Sequence, residues 1–131
     1  MYEVKSRPWR QIVEFYRGLV ERHGWPIAPM LAFVERLAAS EYAAALYGAT
    51  SHAQLLIAQH PSHPPGEGVL AVEFPPDEQR FTFDYRAWAF ERPHWQASAA
   101  PEDGFAKFEH FLRMQNWFVT YADQQPSRPD V

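Results

Sequence analysis

Between Arg80 and Arg86 the chain alternates without a break: Phe81, Phe83 and Tyr85 hold every second position, with Arg80, Thr82, Asp84 and Arg86 between them. Successive side chains of a β-strand point to opposite faces, so the segment predicts a strand with one dry and one wet side. Parallel strands are covered on both faces by their crossovers and read as continuous apolar runs; a one-sided strand therefore predicts an antiparallel sheet. Val69 to Phe74 supplies the neighbour, with Leu70, Val72 and Phe74 on the dry face and Val69, Ala71 and Glu73 outward. Pro75-Pro76-Asp77-Glu78 provides the turn that joins them.

Helical periods flank this pair. Trp9, Ile12, Val13, Tyr16, Leu19 and Val20 recur at three- and four-residue spacing and predict a helix over 7–22, capped by Ser6, with Pro8 in its first turn. His23-Gly24 and Pro26 stop it. A second helix begins near Pro29, carries Met30, Phe33, Val34 and Leu37, and ends around 38–40, so the two form a hairpin. Residues 42–59 read as strand, turn and strand, with Gly48 and Thr50-Ser51 as the turn. Three prolines and two glycines make 59–68 a loop. A short strand fits His94–Ser98, and Pro101-Glu102-Asp103 opens a last helix whose stripe is Phe105, Phe108, Phe111, Leu112 and Gln115.

These elements predict one α+β domain over residues 1–121, followed by a tail at 122–131, rich in Gln, Pro, Asp and Ser, that frays. Its parts are an N-terminal helical hairpin, an antiparallel meander of four to five strands and a C-terminal helix, with the helices on one face of the sheet.

Composition narrows the function classes. A net charge of −4 gives no general attraction to nucleic acid or to anionic membrane surfaces. The absence of cysteine removes disulfides, thiolate metal sites and cysteine nucleophiles. Lys5, Arg7, Pro8 and Arg10 near the start, without an apolar run, do not read as a signal peptide, and no stretch approaches the roughly 18 apolar residues that span a bilayer. The expectation is a cytoplasmic protein with no nucleic-acid or membrane partner.

Chemistry-bearing patterns are sparse. His60 and His63, with His52 across a hairpin, are candidate metal ligands, but a histidine pair in a loop has no enforced geometry, so solvated side chains are the expectation and no cofactor is predicted. Ser51-His52 and Ser62-His63 lack the turn chemistry of a hydrolase nucleophile. Gly66-Glu67-Gly68 is not followed by a phosphate-binding helix. Glu73 and Asp84 could face each other across the 69–86 hairpin as an acid/base pair, although Arg80 and Arg86 on the same face favour a neutralised charge ladder.

Five Trp, six Tyr and ten Phe are the distinctive content, and most must be core. Trp88, Phe90 and Trp95 differ, because they lie in the least regular segment beside Arg86, Arg92 and His94, and Trp with Arg is the composition of interface anchors. The expected function is a non-catalytic protein-interaction or regulatory module. Its contact surface is formed by Glu73, Arg80, Asp84, Arg86, Trp88 and Trp95, and it engages a protein partner or a second copy as a homodimer. The alternative is a small-ligand-binding or metal-dependent enzyme with histidines at a pocket between sheet and helices; a pocket of about 300 Å3 or more on which His60, His63 or His94 converge favours the enzyme, and a filled core with an exposed Trp patch favours the module.

Overall fold

The structure is a computed structural model in which residues 4–63, 68–86 and 95–117 are described. Five strands form an antiparallel meander in the order β2 (Tyr47–Ser51), β3 (Gln54–Ala58), β5 (Val69–Glu73), β6 (Phe81–Arg86) and β7 (Trp95–Ala99). Helices α1 (Trp9–Arg17), α2 (Ala28–Ala38) and α3 (Gly104–Gln115) complete the α+β architecture, and β1 (Val4–Lys5) pairs with β4 (Ser62–His63) as a separate ribbon.

The alternation at 81–85 sets the layering. Phe81 and Phe83 are buried, whereas Thr82 and Asp84 on the other face keep partial exposure. All three helices lie against the Phe81 side. Phe33 of α2 sits at the centre, its ring 5.4 Å from Phe81 and 5.5 Å from both Phe105 and Phe108 of α3. Phe111 of α3 meets Tyr85 at 5.2 Å. Helix α1 closes on β2 at Gly48, where a Cβ would come within 2.6 Å of the Trp9 ring, so only glycine admits this approach. Gly104 plays the same part for α3 beneath the Phe81 ring. A single cluster runs from Ile12 and Tyr16 through Phe33 and Phe81 to Phe108 and Trp117.

Several expectations shift in detail. The N-cap position of the first helix is Pro8, with no side-chain cap; Ser6 lies two residues before it, its N–H donating to the Pro61 carbonyl (2.7 Å). It does not run on as α-helix to residue 22; the last turn widens into a π-turn, Gly18–Arg22. Gly24, at φ 69°, is the left-handed stop that its position predicted. The alanine-rich stretch is not a strand: Glu41–Ala44 winds as a 3-10 turn capped by the Ser40 hydroxyl, which accepts from the Tyr42 N–H. The hairpin turn lies at His52 (φ 57°) and Ala53, four residues past Gly48, which is inside β2. The loop at 59–68 carries a two-residue strand where Ser62–His63 meets Val4–Lys5. Val69, expected to be wet, is on the outward side by register yet only 6% exposed, as Ala58 beside it is 1%. The outward face is therefore dry at this end and open at the Glu73 end.

The strand expected at 94–98 is found at 95–99. The last helix starts with a 3-10 turn at Pro101–Asp103 and ends at Asn116, whose left-handed φ of 54° turns the chain so that Trp117 packs back. The tail expected at 122–131 lies outside the described residues.

Candidate functional site

The face of the sheet opposite the helices is the candidate surface. Its two central rows follow from the register: Glu73, Thr82 and Ser98 in one, and Ala71, Asp84 and Gln96 in the next. With Gln54 of β3 they line an open concavity of about 450 Å3. The strands position these groups by parity alone, each polar residue lying between two that point into the core.

Glu73 pairs with Thr82, and Asp84 pairs with Ala71. The two carboxylates are diagonal neighbours on the face, not opposed as the acid/base reading required; diagonal positions are about 7–8 Å apart at the Cα level. Arg80, just ahead of β6, is exposed and donates from Nη2 to the Ser98 hydroxyl (3.3 Å), so it marks the rim of the concavity. Arg86 closes β6 opposite Val69; its side chain, like Trp88, Phe90, Arg92 and His94, lies outside the described residues.

Trp95 is the expected contact residue that the geometry separates from the others. It pairs with Tyr85 on the helix-facing side, and its half-buried ring lies 5.1 Å from Phe111 and 6.1 Å from Phe83. An aromatic in an irregular stretch looks detached from any period, but once β7 pairs with β6 its parity sends it toward α3. Conversely, Gln54, Thr82, Gln96 and Ser98 line the concavity and were not singled out. The signal for the last two was present: Gln96 and Ser98 alternate with Ala97 and Ala99 as Thr82 and Asp84 do with Phe83.

Histidines do not converge among the described residues. His52 at the β2–β3 turn and His60 are exposed, His63 enters through its backbone pairing with Val4, and no group of three His, Cys, Asp or Glu is placed to hold a metal. The space between sheet and helices is filled by the rings of Phe33, Phe81, Phe105 and Phe108.

Two tyrosines at the helix layer are perturbed. Tyr16 donates to the Ala53 carbonyl (3.0 Å); burial, with the Glu73 charge in second place, pushes its phenol well above the ordinary range. Tyr42 donates to the Glu109 carboxylate (2.8 Å) and is pushed up to about 12 by desolvation first and by that hydrogen bond second. Both phenols are held neutral as hydrogen-bond donors that tie one element to another, Tyr16 to the β2–β3 turn and Tyr42 to α3.

The site thus offers carboxylates, carboxamides and hydroxyls on a rigid, shallow sheet floor, an acceptor-rich surface suited to donors. Among the described residues no helix is long and apolar enough to cross a membrane. Set against protein-family models, curated proteins and solved structures, the chain matches none of them.

Proposed function

We propose that this chain is a non-catalytic interaction or regulatory module of the cytoplasm that binds a protein partner through the outward sheet face. The observation that carries the reading is the asymmetry of the sheet. One face is filled by three helices, and the other presents an open polar concavity of about 450 Å3 containing Glu73 and Asp84. Paired strands hold that surface by their backbone ladders, which favours recognition by a preformed face. The carboxylates and the net charge of −4 favour a partner segment bearing Lys or Arg. Arg80 supplies the opposite sign at the rim and sets its orientation; Arg86 and Trp88 are retained from the sequence as candidate contact residues.

Site-directed photo-crosslinking in the native host tests this reading. A photoreactive residue in place of Thr82 should capture a discrete protein, and one in place of exposed Gln11 on α1 should not. Glu73→Lys with Arg80→Glu should abolish that capture and leave the melting temperature almost unchanged, since both side chains are exposed. Equal capture from Thr82 and Gln11, or capture insensitive to the charge reversals, would sink the proposal.

A further inference from the structure

The two edges of the five-stranded sheet differ. On β2 the Arg7 N–H donates to the Gly48 carbonyl (2.9 Å), and just ahead of the strand the Trp9 indole donates to the Leu46 carbonyl (3.1 Å), so the chain's own N-terminal segment crosses that edge at Gly48. Along β7, no backbone hydrogen bond between described residues crosses the outer side. In an antiparallel strand alternate N–H and C=O groups point away from the one neighbour it has, and monomers blunt such an edge with lysine, proline or a bulge. Trp95-Gln96-Ala97-Ser98-Ala99 contains no charge and no proline, and it pairs with β6 residue for residue without a bulge.

We propose that β7 pairs antiparallel with β7 of a second copy of this chain, about a two-fold axis at Ala97, joining two five-stranded sheets into one. In that register Trp95 lies opposite the partner's Ala99, and Gln96 opposite the partner's Ser98. Large meets small on the helix side, and carboxamide meets hydroxyl on the outward side. A groove of about 450 Å3 runs from the Ala99 end of β7 to α3, floored by Ala99, Ala100 and Ala106 and rimmed by Arg80, Lys107 and His110. The incoming indole, directed to the helix side as Trp95 is here, covers that floor of small side chains. Because the β7–β7 contact is two-fold and isologous, each copy uses its β7 edge on the other and the assembly closes at two copies, while the β2 edge is crossed at Gly48 by the N-terminal segment. The inference is independent of the partner face proposed above, since edge-to-edge pairing leaves the outward face of both copies uncovered.

Sedimentation velocity of the full chain over a concentration series reads the outcome. The unmodified chain sediments as a dimer. Gln96→Lys with Ser98→Lys places like charges opposite each other twice and weakens association by about a hundredfold or more. Gln96→Glu with Ser98→Glu does the same, and an equimolar mixture of the two variants restores the dimer, because opposite charges then meet at both positions. Gln96 and Ser98 are exposed, and circular dichroism verifies that each variant is folded; should one double variant unfold, the loss of association in the other double variant is read alone. A monomer at every concentration, a dimer indifferent to the like charges, or a mixture that stays monomeric overturns the proposal.

Discussion

The β2 and β7 edges belong to one sheet and share strand length and antiparallel pairing, yet the chain treats them in opposite ways. At β2 a charged, proline-containing segment, Lys5-Ser6-Arg7-Pro8, crosses the edge, its Arg7 N–H taking the Gly48 carbonyl and the Trp9 ring packing on the glycine itself. At β7 five uncharged residues present an edge that nothing among the described residues covers. The difference teaches that sealing here is done by sequence-distant chain and a missing Cβ, and that an unsealed edge can be recognised by what it lacks.

Perturbing the sealed edge should have the largest effects. Trp9→Ala removes the indole that covers Gly48 and leaves the Leu46 carbonyl without its donor, and should destabilise the fold by about 3 kcal/mol in urea denaturation. Gly48→Val drives a side chain into the Trp9 ring and the Ile12 methyl, with an expected loss of about 2 kcal/mol. The double variant should lose less than the sum of the two, because the space vacated by the ring accommodates part of the valine. Additive losses would show that the glycine is not there for the indole.

Tyr42 sharpens the comparison from the side of the segment leading into β2. Tyr42→Phe should cost about 1 kcal/mol near neutrality through its bond to Glu109. The folded phenol is pushed up to about 12 from an ordinary 10.0, so the folded chain keeps a proton that the unfolded chain loses. Its contribution is complete below pH 10 and disappears as the pH rises through about 12. Stability of the unmodified chain should therefore fall over that interval, and Tyr42→Phe should flatten the fall, leaving the part due to Tyr16. The open edge should be the least sensitive: Gln96→Lys with Ser98→Lys should shift the intrinsic stability of the folded monomer by no more than about 0.5 kcal/mol.

What could be read from the residues follows the same division between local and distant causes. Strict alternation at 81–85 was sufficient for the layering, because parity is a local property and Phe81 and Phe83 have nowhere else to go. The 105–112 stripe predicted the buried face of α3 for the same reason. Gly48 misled: it stands in the chain as a turn residue would, but it serves the close approach of α1, and the left-handed turn position goes to His52. The β1–β4 ribbon was invisible, since it joins residues far apart through two pairs only. At the candidate surface, Glu73, Arg80 and Asp84 fell on the expected face by parity; the mutual placement of Glu73 and Asp84 depended on register, which one residue of turn length decides. Trp95 was misplaced because its strand could not be paired before the meander was known.

Residue-resolved hydrogen exchange on the Gln96→Lys, Ser98→Lys variant tests most directly the claim that one edge is sealed and the other exposed. The account predicts that the Arg7 amide is protected nearly as well as the sheet interior, whereas alternate amides within Trp95–Ala99 exchange rapidly. Uniform protection along Trp95–Ala99, or an Arg7 amide that exchanges as freely as an exposed loop, would contradict it.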